Sequence, residues 1–148
     1  LMLFWFIGTA VATIWFVFHD KHFAYRLVVA GALAPDAIEV FLGHAGPLHS
    51  VVTMVAIMTV VMLITYGRKK SRSKMLAIVI GMFLHLVFDG AFANTKMFWW
   101  PFFGMKFGNV SLPVIDRGLL NIPLEIVGAL LTYWTYRKIA EPVTPENK

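Results

Sequence analysis

Six ionisable side chains interrupt long apolar stretches of this sequence, and their types are those that bind metal ions or move protons. They are Asp36, Glu39, His49, His85, Asp89 and Glu125. The sequence contains no cysteine, so a metal would have to be held by imidazole or carboxylate groups. Inside a bilayer each charge costs roughly 2.5–3.5 kcal/mol. Several such groups therefore need to share partners, protons or a cation.

His85 and Asp89 are four residues apart, which places them on one face of a helix. An imidazole and a carboxylate on adjacent turns can supply half of a metal site, and Asp36 and His49 can supply a third and a fourth ligand. Nitrogen and oxygen ligands without sulfur suit zinc, and also manganese or ferrous iron. We therefore predict a divalent-metal site, with zinc as the first choice, at these four residues.

The two remaining acids, Glu39 and Glu125, are candidates for the general base of a hydrolytic reaction. Glu39 lies three residues after Asp36 and is equally a candidate for a hydrogen-bond partner of a metal ligand or for an outward-facing group. Glu125 follows Asn121 and Pro123, a pattern typical of a helix start. A purely structural role at a helix terminus is therefore the alternative for Glu125.

The predicted ligands also have structural alternatives. Asp36 follows Pro35, and His49 follows Pro47 by two residues, so both suit the first turn of a helix, where polar side chains interact with free backbone groups. His85 and Asp89 can form an internal pair that joins two helices without any metal.

The elements that must position these residues are five apolar blocks. They cover residues 1–18, 27–43, 48–66, 75–93 and 118–136. The chain is 59% hydrophobic and only 14% charged, whereas soluble domains carry about 25% charged residues. About 20 apolar residues cross the hydrocarbon of a bilayer. We predict an all-α, polytopic membrane bundle of about five transmembrane segments, forming one domain over residues 1–140 with a short polar tail over 141–148.

The second block is short, and Pro35 tends to break a helix. We expect this segment to be broken at Pro35 or to be re-entrant, an arrangement that needs surrounding protein or a water-filled cavity.

The basic residues predict the orientation of the chain. With five spans, ten of the 13 Lys and Arg residues fall on one side, in segments 19–26 and 67–74 and in the tail from 137. The positive-inside rule then puts the N-terminus outside and the C-terminus in the cytoplasm, in a plasma (inner) membrane. A re-entrant second block would put the N-terminus inside. The net charge of the chain is +5, and its basic residues lie between the apolar blocks. We therefore predict that they contact anionic membrane lipid, not nucleic acid.

In this orientation the predicted site residues all lie in the outer half of their blocks. Asp36, His85, Asp89 and Glu125 lie roughly 6–12 Å from the outer end at 1.5 Å per residue, and His49 lies at the outer start of its block. The aromatic-rich segment 98–107 follows the fourth block. Its composition is typical of a belt at the membrane interface, and it is also placed to act as a lid or a lipid-entry lip over the polar residues.

Two strings in the sequence, LAPDAIEVFLGHAGPLHS at 33–50 and HLVFDGAFANTKMFWWPF at 85–102, resemble the YdjM-like inner-membrane proteins, a family described as metal-dependent hydrolases. The resemblance covers roughly residues 33–102. Matched position by position, it implies Asp36, His49, His85 and Asp89 as the polar core. The chain departs from the family in the turn at 44–50, which lacks the Arg and Thr often found there. Without these two residues, the resemblance does not imply that this turn binds an anion.

These observations favour a membrane-embedded, metal-dependent hydrolase that acts on an ester or phosphoester of a lipid-like amphiphile near the outer leaflet. Two alternatives remain open at this point. The same carboxylates can pass protons or cations, as in a carrier, or the polar residues can tie together the helices of a non-catalytic scaffold or assembly subunit.

Overall fold

The computed structural model describes residues 2–40, 47–103 and 118–141, and this part of the chain is helical without any strand. Six α-helices follow one another: α1 (Leu3–Phe18), α2 (Tyr25–Val40), α3 (Val51–Ile64), α4 (Lys69–Asp89), α5 (Thr95–Phe98) and α6 (Asn121–Ala140). Short 3-10 turns lie at Pro47–His49, Ala91–Ala93 and Gly118–Leu120. The all-α prediction is confirmed. The predicted tail lies outside the described residues except for Glu141.

Local signals explain several helix ends. The Ser50 hydroxyl accepts a hydrogen bond from the backbone N–H of Val52 at 3.2 Å and caps the start of α3. Asn94 caps α5 in the same manner through the N–H of Met97. Helix α4 ends at Gly90, whose left-handed conformation (φ 73°) a glycine adopts without steric cost. These ends place His49 and Asp89 at the same end of the molecule, one just before α3 and the other in the last turn of α4.

The predicted break at Pro35 is wrong, because α2 continues through Pro35 to Val40. Proline lacks only the N–H that would bond the carbonyl of Gly31 one turn earlier. Packing against α4 holds the two halves of α2 in line. This continuity matters for the site, because Asp36 and Glu39 lie in the part of α2 that follows the proline.

Helices α2 and α4 run parallel, since Val28 packs with Ala77 near their first halves while Asp36 Oδ1 lies 3.4 Å from His85 Nε2 near their ends, and they approach closely. A Cβ built on Gly31 would lie 2.0 Å from the carbonyl oxygen of Ile78, and one built on Gly81 would lie 2.2 Å from that of Val28. Only glycine allows this contact between two backbones. The close approach brings the C-terminal turns of both helices together, and with them Asp36 and His85.

Helices α1 and α6 form a second parallel pair. A Cβ on Gly8 would lie 2.1 Å from the carbonyl oxygen of Gly128. The Glu125 carboxylate, near the start of α6, accepts hydrogen bonds from the backbone N–H groups of Phe4 and Trp5, near the start of α1. At the far end of the pair, the Lys21 ammonium donates to the carbonyl oxygen of Glu141. The two helices therefore begin together and end together.

Much of the outer surface of the bundle is apolar, whereas five ionisable side chains lie inside it. Large apolar side chains are exposed on several helices, among them Phe16 at 74%, Leu63 at 70% and Leu130 at 62% of their maximum. One helix of the described ranges, α4, is long and apolar enough to cross a membrane, while α1 and α3 are apolar but shorter. Length and composition therefore identify one candidate span.

Candidate metal centre

Three ligand-type atoms from three separate segments converge on one point inside the bundle. Asp36 Oδ1 lies 3.4 Å from His85 Nε2 and 3.8 Å from His49 Nε2, and the two imidazole nitrogens lie 3.4 Å apart. Asp36 comes from α2, His49 from the 3-10 turn before α3, and His85 from α4. His49 lies 13 positions after Asp36 and 36 positions before His85 in the sequence. Their one oxygen and two nitrogen atoms nevertheless form a nearly equilateral triangle.

The size of this triangle suits a metal ion. The point equidistant from its three corners lies about 2.1 Å from each, and zinc binds His nitrogen and carboxylate oxygen at about 2.0–2.2 Å. Ligand atoms of a tetrahedral site with such bonds are about 3.4 Å apart. The three side chains can therefore hold a divalent cation without moving far, and the metal-binding group of Asp36, His49 and His85 is the part of the predicted site that the structure supports.

Glu39 orients His49. One of its carboxylate oxygens, Oε2, lies 2.6 Å from His49 Nδ1, and the other, Oε1, accepts a hydrogen bond from the backbone N–H of Leu48 at 2.8 Å. We assign the proton of His49 to Nδ1 because a carboxylate faces that nitrogen. The Nε2 lone pair then points at the triangle. A carboxylate behind a metal-binding imidazole is a common arrangement in metalloproteins.

A backbone carbonyl orients His85 in the same way. His85 Nδ1 lies 2.8 Å from the carbonyl oxygen of Ala32, which can only accept a hydrogen bond. This interaction assigns the proton of His85 to Nδ1 and leaves its Nε2 as an acceptor. Phe6 of α1 packs on the opposite side, with its ring centroid 4.0 Å from that of His85. The imidazole is thus fixed by α2 and covered by α1.

With the protons of both imidazoles on Nδ1, the two Nε2 atoms and Asp36 Oδ1 are three hydrogen-bond acceptors that face one another. Two imidazole lone pairs and one carboxylate oxygen lie within 3.8 Å of one another, and all three residues are at least 98% buried. Asp36 Oδ1 is buried and accepts no hydrogen bond from the part of the chain that the structure describes. Buried acceptors at such distances repel one another unless a cation lies between them. A metal ion, or a proton on one imidazole, satisfies this requirement.

Asp89, the fourth predicted ligand, lies beside the triangle. Its Oδ2 is 3.7 Å from His49 Nε2, and its side chain is fully buried. The atoms that lie within 4.8 Å of one another belong to Asp36, His49 and His85 only, as far as the described residues go. Asp89 therefore belongs to the same polar cluster, and its role as a direct ligand stays a prediction.

The two predicted general bases occupy different positions. Glu39 belongs to the cluster, but both of its oxygens accept hydrogen bonds from the 3-10 turn, which supports the alternative of a partner to a metal ligand. Glu125 binds the first turn of α1 instead of the cluster. A carboxylate at the positive end of a helix dipole stabilises that helix. The general-base role stays a prediction for both residues.

Sequence reasoning overlooked three contributors to this centre: Ser50, Phe6 and the carbonyl group of Ala32. Ser50 lies near the start of the third apolar block and directly before the uninterrupted apolar run that begins at Val51, so its capping role was open to prediction from the usual start signals of helices. Its hydroxyl also lies 2.7 Å from the carbonyl oxygen of Trp100 and 3.2 Å from that of Phe98. No pattern in the sequence identifies Phe6 or the Ala32 carbonyl, because both contacts depend on how the helices pack.

Replacing Ser50 with alanine is expected to lower the free energy of unfolding by about 1–2 kcal/mol, since a helix cap and the hydrogen bonds of a buried hydroxyl are lost together. Thermal unfolding in mild detergent measures this effect. Ser71→Ala is the matched control, because Ser71 is exposed in the first turn of α4. Equal unfolding temperatures for the two variants would contradict the assigned contacts of Ser50.

Comparison of the chain with protein-family models, with curated proteins and with solved structures finds no match. The resemblance to the YdjM-like family is therefore not supported by these comparisons and stays a prediction. What the centre can do chemically follows from its geometry.

Proposed function

We propose that this chain is a polytopic membrane protein that binds a divalent metal, best fitted by zinc, and hydrolyses an ester or phosphoester of an amphiphile. The observation that carries the proposal is the triangle of Asp36 Oδ1, His49 Nε2 and His85 Nε2, whose edges of 3.4–3.8 Å match the spacing of ligands around zinc. Manganese and ferrous iron accept the same donors and are the alternative occupants.

The distribution of polar groups supports a membrane location. Five ionisable side chains are buried while the outer surface exposes large apolar side chains, the reverse of a soluble domain. The helix directions agree with alternating spans, because α1 and α6 are parallel to each other, and α2 is parallel to α4. In this arrangement the metal centre lies at one end of the bundle and the basic segments near Lys21 and Lys70 lie at the other.

The positive-inside rule then puts the metal centre near the outer leaflet, with the N-terminus outside and the C-terminus in the cytoplasm. Helices α1 and α3, at 16 and 14 residues, are short for a full span, which needs about 20. The flanking turns and local thinning of the bilayer can make up the difference. Cysteine accessibility from each side, tested on the cysteine-free chain, measures this topology.

A bound divalent cation would lower the pKa of a water molecule and polarise the oxygen of the scissile ester or phosphoester. The residues of the chain prepare this chemistry. Glu39 and the Ala32 carbonyl hold the two imidazoles with Nε2 facing the centre. Asp36 supplies negative charge that a divalent cation needs, and Asp89, whose Oδ2 lies 3.7 Å from His49 Nε2, places a second carboxylate beside the site.

The amphiphilic nature of the substrate rests on the position of the centre. All of its residues are at least 98% buried, and they lie in helical segments of a bundle that exposes many large apolar side chains. A reactive head group that reaches this depth must come from a molecule that enters the bilayer. The likeness of segments 33–50 and 85–102 to the YdjM-like hydrolases adds support to the reaction class.

Metal removal and restoration test the proposal. Protein purified in mild detergent is expected to contain close to one equivalent of metal by elemental analysis. Chelation is expected to abolish hydrolysis of a long-chain ester, and zinc to restore it. Trace metal in the purified protein combined with failure of zinc to raise the unfolding temperature would contradict the metal centre. If the protein contains a full equivalent of metal but hydrolyses none of the esters and phosphoesters tested, the hydrolase proposal would be wrong and the chain would be a metal-binding scaffold.

A further inference from the structure

Two neighbouring aromatic side chains near the start of α1 contact the C-terminal end of α4, which carries His85 and Asp89. Phe6 is 1% exposed, and its ring centroid lies 4.0 Å from that of His85. Trp5 is half-buried, and its indole N–H donates a hydrogen bond to the carbonyl oxygen of Phe88 at 3.1 Å. The rings of Trp5 and Phe88 also meet edge to face, with centroids 6.1 Å apart. Consecutive residues of α1 thus contact one ligand of the metal centre and the residue that precedes Asp89.

The hydrogen bond from Trp5 satisfies a backbone group that α4 cannot satisfy by itself. The last four carbonyl groups of a helix accept no hydrogen bond from within that helix. In α4 the N–H of Gly90 bonds two of them, and the indole of Trp5 bonds that of Phe88. This bond holds the peptide group that joins Phe88 to Asp89, whose Oδ2 lies 3.7 Å from His49 Nε2. Trp5 thereby fixes the backbone from which Asp89 reaches the centre.

Phe6 restricts the imidazole of His85 in a direction that its hydrogen bonds do not. Nδ1 of His85 lies 2.8 Å from the carbonyl oxygen of Ala32, and Nε2 lies 3.4 Å from Asp36 Oδ1. Both contacts act at the edge of the ring, whereas Phe6 packs on its face and limits its tilt. A metal ligand has to be held within about 0.5 Å of its binding position. The face contact therefore bears on metal affinity as well as on packing.

We propose that Trp5 and Phe6 are positioning residues of the metal centre, which hold the C-terminal end of α4 so that His85 and Asp89 face the cation. The inference rests on the metal centre of the proposed function but not on hydrolysis. Loss of a contact that orients a metal ligand typically weakens metal binding by 10–100-fold. Trp5 and Phe6 touch neither metal nor substrate in this role, since they act through α4.

Ordinary core packing is the alternative explanation, because both residues belong to an apolar cluster with Met2, Leu33, Phe88 and Leu124. Two controls on α1 separate packing from positioning. Trp15 is half-buried like Trp5 but lies beside His19, at the other end of the helix. Ile14 is 2% exposed and belongs to a different apolar cluster. It lies about 12 Å along the helix from Phe6 at 1.5 Å per residue.

Cobalt binding by the full chain in mild detergent tests the inference, because the visible absorption of Co²⁺ reports the arrangement of its ligands. Trp5→Phe removes the indole N–H but keeps an aromatic ring, and Phe6→Leu keeps a large apolar side chain without a flat face. Each is expected to bind Co²⁺ about tenfold more weakly than the wild type and to change its absorption spectrum. Trp15→Phe and Ile14→Ala are expected to keep both, even where Ile14→Ala lowers the unfolding temperature.

For either residue, an affinity and a spectrum equal to those of the wild type would overturn its positioning role. Equal losses in Trp15→Phe or Ile14→Ala would assign the effect to helix packing in general and overturn the inference.

Nuclear magnetic resonance of metal-free protein, with ¹⁵N-labelled histidine rings, separates this inference from the proposed function. The wild type is expected to give one set of His85 ring resonances, with the proton on Nδ1, and Phe6→Leu to give an additional set. If the wild type binds no Co²⁺, the metal centre of the proposed function is wrong, yet an additional set in Phe6→Leu alone would uphold the hold of α1 on His85. A single unchanged set in Phe6→Leu would overturn it, whatever the metal content.

Discussion

Protein with His85 replaced by alanine is expected to lose its metal, with an affinity for zinc at least about 100-fold weaker than that of the wild type. Loss of an outer partner of a ligand already costs 10–100-fold, and His85 supplies one of three converging ligand atoms. Elemental analysis of both proteins, purified side by side in mild detergent, measures the loss.

Unfolding temperature gives a second readout of the same variant. A ligand at 100 times its dissociation constant stabilises the folded state by about 2.7 kcal/mol. Zinc is therefore expected to raise the unfolding temperature of the wild type and to leave His85→Ala unchanged. Asp36→Asn is expected to behave like His85→Ala while preserving volume, which separates loss of a ligand from loss of packing against Phe6.

His22→Ala is the matched control, because the His22 side chain is 97% exposed and lies beside Asp20, with its Nδ1 3.7 Å from Asp20 Oδ1. It is expected to keep the full metal content. Equal metal in wild type and His85→Ala would show that the triangle does not bind metal, and the polar residues would then join the helices as in the scaffold alternative.

Asp36, His49 and His85 could be predicted from the sequence because ionisable groups isolated within long apolar stretches are costly and need partners. Asp36, His49 and His85 lie within apolar blocks that contain few other polar partners for them. Their positions within these blocks predicted that all three lie near one end of the molecule. The common end of α2, α3 and α4 followed from the direction in which successive helices run. The arrangement of the ligands was therefore accessible without coordinates, although their distances were not.

The remaining features depended on packing that no local pattern encodes. Pro35 was expected to break α2, yet α2 continues through it to Val40, and Gly31, one turn earlier, lies in close contact with α4. The hydrogen bond of Glu125 to α1 joins residues about 120 positions apart, and the starting pattern at Asn121 gave no sign of it. The hydrogen bond from Glu39 to His49, which supports an orienting role, depends on how the 3-10 turn packs against α2.

Replacing Glu39 with glutamine is expected to weaken zinc binding by about 10–100-fold. Each carboxylate oxygen of Glu39 accepts a different N–H group, that of Leu48 at 2.8 Å and His49 Nδ1 at 2.6 Å. Glutamine offers a single oxygen, so its NH2 group must face one of these two donors. The conflict is relieved if His49 moves its proton to Nε2. The proton on His49 Nε2 would then block the lone pair with which this nitrogen binds the metal.

Zinc titration combined with hydrolysis rates distinguishes an orienting residue from a general base. If Glu39 orients His49, saturating zinc is expected to restore most of the hydrolysis in Glu39→Gln, because the metal outcompetes the misplaced proton. If Glu39 instead removes a proton from water, the rate at saturating zinc is expected to stay at least about 100-fold low.

Glu125→Gln provides the matched control, since Glu125 Oε2 accepts both of its hydrogen bonds and the single oxygen of glutamine can replace it. This variant is expected to bind zinc as the wild type does. A selective loss of hydrolysis in Glu125→Gln at full zinc occupancy would instead assign the general base to α6. The first turn of α1 would then have to move away from Glu125 during the reaction, because its carboxylate is bonded there to Phe4 and Trp5.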